Sequence, residues 1–367
     1  MPFNEIKKNF GFGCMRLPMK DGNVDYEQFN SMIDYFINAG FNYFDTAHGY
    51  IDGKSETAIG DCLSARYPRD KFILANKLSD WFVKSEEDIV SFFEGQLKSC
   101  GVEYFDFYLF HAVNAKNYER HKAINSFEIV KELKKEGKIK HIAMSFHDKA
   151  DVLDKILAEQ PFIEAVQLQI NYLDYDDPSV QSKACYDVAV KHGKPVIVME
   201  PVKGGTLVNL PNQAQILFDE LGSGSYASYA LRYAASLDNV FMTLSGMGSM
   251  EMMLDNVNTF VDFIPLNKTE LAAANKAREV IRKANLIPCT SCNYCADVCP
   301  KNIPISKIFN EYNVYSSAEI TKDEFVNSLP INSGKASDCI KCGKCENVCP
   351  QSIKIREKLE NIANIIE

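Results

Sequence analysis

The sequence has no apolar run of 18 or more residues, no Ser/Gly/Pro-rich low-complexity tract and no Lys/Arg stripe. The first absence excludes a membrane-spanning helix, and the second a disordered chain. The third leaves a nucleic-acid or anionic-membrane role without electrostatic support, as does a net charge of −9 from Lys+Arg 40 against Asp+Glu 49. The opening residues, Met-Pro-Phe-Asn-Glu-Ile-Lys-Lys, lack the apolar stretch and small-residue cleavage site of a secretion signal, so a cytoplasmic protein is expected. At 367 residues the chain exceeds the length at which one core usually stops growing, which predicts two compartments.

Cysteine marks the division. Cys14, Cys62, Cys100 and Cys185 are scattered, whereas the other eight crowd between Cys289 and Cys349. They form one spacing twice: Cys289-x2-Cys292-x2-Cys295-x3-Cys299-Pro300, then Cys339-x2-Cys342-x2-Cys345-x3-Cys349-Pro350. Such loops turn three thiolates toward one cubane cluster while the fourth Cys ligates the other. Crosswise assignment gives one [4Fe-4S] cluster to Cys289, Cys292, Cys295 and Cys349, and a second to Cys339, Cys342, Cys345 and Cys299. Structural zinc is the main alternative, but the third closely spaced Cys and the Cys-Pro repeats would be surplus to four-ligand sites. A disulfide framework lacks the secreted, small-scaffold context. The residues between the motifs read partly as helix, Ile305 to Tyr312 and Ile320 to Ser328, with a last helix near Ile353 to Ile366.

Before the cysteines, short apolar or β-branched runs recur eight times: 10–14, 43–47, 72–78, 105–110, 141–145, 165–170, 195–199 and 240–244. Amphipathic segments of helical period separate them, such as Tyr26, Phe29, Ile33 and Phe36 before Gly40, or the segment opened by Ser85-x-x-Asp88. Eight strand–helix units predict a (β/α)8 TIM barrel over 1–285, followed by a small mainly helical two-cluster ferredoxin-like domain over 286–367. Reading strand ends in order gives Asp45 and Tyr50, Lys77, His111, Ser145 with His147, and Gln169. The last two are the glycine-rich stretches Lys203-Gly204-Gly205-Thr206 and Ser245-Gly246-Met247-Gly248-Ser249, where barrels commonly bind phosphate. Gly11-Phe12-Gly13 lacks a third glycine, and is expected to let the loop of the first strand turn closely over the site.

Phe44-Asp45-Thr46-Ala47 with Tyr50, Asn76-Lys77, Leu109-Phe110-His111 and Pro201 ahead of Gly204-Gly205 resemble the aldo-keto reductases. The double cysteine motif is similar to that of their ferredoxin-fused branch. The resemblance implies an oxidoreductase acting on a carbonyl, alcohol or related small molecule, with Asp45, Tyr50, Lys77 and His111 as catalytic tetrad. It implies a Lys77 ammonium that lowers the Tyr50 pKa, and an NAD(P)H cofactor held by Ser145, Gln169, Gly204, Gly205, Ser245, Gly246 and Asn256. NAD against NADP stays open, because Gly246 and Met252 stand where the family carries the cations that grip the 2′-phosphate. A nicotinamide moves two electrons and a [4Fe-4S] cluster one. An FMN converter, single-electron delivery to substrate, and clusters that are structural or serve a separate redox partner protein are the three options, and no motif identifies FMN. An electron-transfer or redox-sensing protein without carbonyl turnover is the alternative reading.

Overall fold

The computed structural model describes residues 2–222, 224–284, 286–316, 320–331 and 333–366. Eight parallel strands close a barrel: β1 (Phe10–Gly13), β2 (Tyr43–Asp45), β3 (Ile73–Leu78), β4 (Phe105–Val113), β5 (Ile139–Phe146), β6 (Ala165–Gln169), β7 (Val196–Met199) and β8 (Val240–Gly246). Each pairs with its neighbour in sequence, and β8 returns to β1 with Gly13 opposite Gly246. All eight runs expected from the sequence are strands. Apolar side chains of the strands meet inside, where Tyr43, Phe107, Leu109 and Leu244 share one buried cluster with Phe3. Phe3 closes that cluster with ring contacts to Phe107 at 4.9 Å and Phe241 at 5.0 Å. Gly11 lies within β1, and a Cβ there would stand 2.6 Å from Leu244 and 2.9 Å from Tyr43. Its missing side chain makes room for barrel packing, which corrects the expectation of a loop turning over the site.

The helices follow from periodicity and caps. Tyr26–Asn38 buries Phe29, Met32, Ile33 and Phe36, and begins where the Asp25 side chain accepts from Gln28 N. Glu86–Cys100 opens on the Ser85/Asp88 capping box and ends at Gly101 with φ 64°. Among the described residues no helix is long and apolar enough to cross a membrane.

The chain divides into two compact units: Met1–Pro201 with Ala227–Asn267, which holds all eight strands, and Val202–Tyr226 with Lys268–Glu367. The segment following β7 therefore groups with the cysteine motifs. The boundary expected at 285/286 falls at Asn285, which lies outside the described residues. In the second unit the repeat extends to the backbone. Positive φ occurs at Ser291 and Lys341, at Asn293 and Gly343, and at Asn302 and Ser352. Each of these pairs occupies matching places in the two motifs, and the short helices Tyr294–Asp297 and Lys344–Asn347 match likewise. Phe309, Phe325, Ile355, Leu359 and Ile362 build this unit's core. The expected helices are Ile305–Ser316, Lys322–Ser328 with a Thr321/Glu324 capping box, and Ile355–Ile366.

Candidate active site and cysteine cavities

Asp45 ends β2 and Lys77 lies one residue from the end of β3, so adjacent strands aim both side chains at the carboxyl end of the barrel. Lys77 Nζ donates to Asp45 Oδ1 at 2.6 Å and to the Thr46 carbonyl at 2.8 Å, with Lys77 1% and Asp45 3% exposed. Burial raises the Asp45 carboxyl, and the Lys77 charge opposes that rise. Tyr50 follows in a turn whose next three residues, Ile51, Asp52 and Gly53, all have positive φ; its carbonyl accepts from Gly53 N and Ser55 N. Non-glycine residues held at positive φ store strain of a kind that clusters at functional sites. Lys77 Nζ lies 4.9 Å from the centre of the Tyr50 ring, and the His111 ring 6.0 Å from it. The four residues of the expected tetrad thus converge.

Their electrostatics correct one expectation. The Tyr50 phenol is raised well above 10, first by burial and then by the Asp45 charge, with Glu200 and Cys14 adding and Arg16 opposing. Lys77 meets the ring face and donates to Asp45 and the Thr46 carbonyl, and the net direction at the phenol is upward. Arg16 is the cation that acts on the phenol, and no sequence motif marked it. His111 is pushed well below 6.5 by burial and then by Lys77, so the imidazole is neutral; its Nδ1 lies 2.6 Å from Ser79 Oγ. Trp81, 45% exposed, stands 4.9 Å from the His111 ring and walls that side. Burial takes His147 down to about 4.

Behind Lys77 is a polar network that the sequence did not reveal. Buried Glu56 accepts from Asn76 Nδ2 (2.9 Å) and Gln96 Nε2 (3.0 Å), and its other oxygen meets His48 Nδ1 at 2.8 Å. Asn76 Oδ1 accepts from Lys77 N, and Gln96 also donates to the Lys77 carbonyl. Both peptide groups of Lys77 are therefore fixed by side chains that Glu56 holds.

The residues expected to bind cofactor do not all fall in one unit. Ser145, Gln169, Ser245, Gly246 and Asn256 belong to the barrel unit, and Gly204 and Gly205 to the other. Ser145 Oγ accepts from Ala112 N at 2.7 Å, steadying a residue of positive φ beside His111 and leaving its own O–H as a donor. Asn256 Nδ2 donates to Ser245 Oγ, and Gln169 Nε2 to Asp174. At Gly246 a Cβ would press on Arg16 at 3.3 Å. At Gly204, where φ is 62°, a Cβ would meet the Thr290 carbonyl oxygen at 2.4 Å. Close packing on the first cysteine motif therefore explains Gly204.

In the second unit Cys289, Cys292, Cys295 and Cys349 line one cavity. Cys299, Cys339, Cys342 and Cys345 line another. Burial, together with Cys292, Cys289 and Cys349 beside it, pushes the Cys295 thiol up to about 12. Four such thiols ionise together only around a strongly cationic centre. Each cavity thus offers four sulfurs, the donor number of a [4Fe-4S] cluster. Cys14, Cys62, Cys100 and Cys185 are buried free thiols.

Residues 9–279 match the model of the aldo/keto reductase family, and residues 288–353 that of a 4Fe-4S dicluster domain. A curated relative from Glycine max, "Probable aldo-keto reductase 1", is 34% identical over 177 residues, which cover 45% of this chain and 48% of that protein. An "Aryl-alcohol dehydrogenase [NADP(+)]" from Phanerodontia chrysosporium is 42% identical over 62 residues, 17% of this chain and 16% of that one. The chain thus spans about half the length of the first relative and less of the second. Among solved structures, an aldo-keto reductase from Bacillus halodurans (AKR11C1, holo form) is similar at 25% identity and TM-score 0.60, covering 74% of this chain and 92% of that one. An aldo-keto reductase from Klebsiella pneumoniae in complex with NADPH shares the fold at 19% identity and TM-score 0.59, covering 73% and 90%.

Proposed function

The chain belongs to the aldo/keto reductase family, and from that premise we propose that it is an oxidoreductase acting on a carbonyl, alcohol or related small molecule, with Tyr50 as general acid/base. The observation that carries the reading is the convergence of Tyr50 and His111 over a buried Lys77–Asp45 pair at 2.6 Å. When bound, NAD(P)H supplies a hydride, and each [4Fe-4S] cluster of a proposed pair takes or gives one electron.

The chain's own residues do the rest. Tyr50 rests protonated, as a proton donor must, and gives its proton to the carbonyl oxygen. The Arg16 charge favours the phenolate left behind, and Lys77 lies against the ring face. Neutral His111, its Nδ1 against Ser79 Oγ, would donate to the same oxygen from Nε2 in the tautomer that accepts from Ser79. Ser145, Gln169, Ser245, Gly246 and Asn256 would hold the nicotinamide cofactor, Ser145 through its remaining O–H. The two sets of four thiolates would hold the clusters in a domain beginning near residue 286.

The test is anaerobic NADH and NADPH oxidation with a panel of small aldehydes and ketones. Tyr50→Phe is expected to lower turnover by about 10²- to 10⁴-fold while cluster absorbance stays at its wild-type level. Turnover unchanged in Tyr50→Phe would refute the assignment.

A further inference from the structure

The two cysteine cavities differ in charge. Polar residues of the first, beside its cysteines, are Thr290, Asn293, Ser306 and Gln351, and no charged side chain lines it. The second is lined by Lys301, Lys344 and Arg356 and by no carboxylate. Because the motifs repeat residue for residue, the comparison can be made position by position. Lys341 answers to Ser291, Lys344 to Tyr294, Arg356 to Ser306 and exposed Ile340 to buried Thr290. The backbone is shared, so these substitutions alone make one rim cationic.

Exposure adds to the contrast. Ile340 is 57% exposed, and Cys342 is the one exposed thiol among the described cysteines. Lys301, Lys341, Lys344 and Arg356 are exposed around them. Lys341 pairs with Glu360 and Arg356 with Glu346, each at 2.7 Å, surface pairs that solvent weakens. Four cations less the carboxylates of Glu346 and Glu360 leave a net +2 around an apolar centre, a local excess opposed in sign to the chain's net charge of −9. Small interfaces steered by charge are the usual form of weak electron-transfer encounters.

We propose that the rim formed by Lys301, Lys341, Lys344 and Arg356 around Ile340 and Cys342 docks an acidic one-electron carrier protein. The proposal rests on the reading that this cavity holds a cluster. In the step, one electron crosses: the carrier loses it, the cluster gains it, no bond forms or breaks, and no proton moves. The first cavity has neutral residues at the matching positions, and the lysine beside it, Lys203, is 1% exposed and donates to Gln351, so it presents no cation to a carrier's surface.

The experiment uses holoprotein isolated anaerobically, with clusters quantified by EPR after dithionite reduction, and a reduced acidic plant-type [2Fe-2S] ferredoxin as the probe. Stopped-flow mixing is expected to give a rate that falls about tenfold between roughly 20 and 300 mM NaCl. Lys301→Glu/Lys344→Glu should lower the low-salt rate at least about tenfold and flatten its salt dependence, while dithionite still produces the wild-type EPR signal. Reversing two exposed lysines of the barrel unit, Lys155→Glu/Lys183→Glu, should change the rate by less than about twofold. The docking site is overturned by an unaffected rim variant, by an equal loss in the barrel variant, or by no transfer from ferredoxin to clusters that dithionite reduces. Wild-type protein without clusters would overturn the cluster reading itself, and the docking site with it.

Discussion

Asp45→Asn keeps the shape of a side chain that is 3% exposed and removes its charge from a pair whose other member, Lys77, is 1% exposed. Stranding one partner of a buried ion pair costs about 3–5 kcal/mol. The low end applies here, because the Thr46 carbonyl still accepts from Nζ at 2.8 Å and the Tyr50 ring still faces the ammonium at 4.9 Å. We therefore expect a loss of about 3 kcal/mol from the barrel unit. Lys77→Met strands the carboxylate instead, and should cost at least as much. Removing both charges together strands neither, so the double variant should be more stable than the sum of the two losses predicts by about 2 kcal/mol. Trp81, the single tryptophan, belongs to the barrel unit and sits 4.9 Å from His111, so its fluorescence during urea unfolding reports this unit. A loss below about 1 kcal/mol for Asp45→Asn, or additivity within about 0.5 kcal/mol, would refute the coupling.

Gly204→Ala should destabilise the second unit by about 2–4 kcal/mol, through the positive φ and the 2.4 Å approach to Thr290, lowering the temperature at which cluster absorbance is lost. Gly222→Ala, with φ 74° and open space around its Cβ, should cost only the backbone part, and an equal loss at both sites would sink the packing argument. Glu56 raises His48 above 6.5, so the stability this imidazole contributes is present below pH 6.5 and is lost as pH rises through its folded value. NMR titration should place the His48 midpoint above 6.5, with Glu56→Gln bringing it down, and the His147 midpoint at about 4. If the cavities are the cluster sites, Cys299→Ser should lose the same EPR component as Cys342→Ser, and Cys349→Ser the same as Cys292→Ser; loss grouped by motif would contradict the crosswise arrangement.

The eight strands and the caps at Ser85 and Thr321 were legible because each is a local pattern: an apolar run between turns, or a hydroxyl three residues before a carboxylate. The tetrad residues were legible through their order at successive strand ends. What escaped was set by pairing across long stretches of chain. Glu56, Asn76 and Gln96 assemble around Lys77 from three separate elements, and no spacing of theirs is periodic. Arg16 acts on Tyr50 through its charge from the bend after β1, where a lone arginine carries no signal.

The loop after β7 shows why such residues resist local reading. A glycine pair at a strand end says only that some group must come close to the backbone. A phosphate would satisfy that requirement, and so does the Thr290 peptide, and the sequence within the loop is the same in either case. The partner decides, and it lies more than eighty residues away in the cysteine unit. The two cysteine motifs show the converse. Their spacing is identical, so the two four-cysteine sets were readable at once, yet the difference between them lies in residues that the spacing does not constrain, such as Lys341 against Ser291 and Lys344 against Tyr294. Spacing fixes where a cluster fits, whereas the side chains free of that duty decide what approaches it.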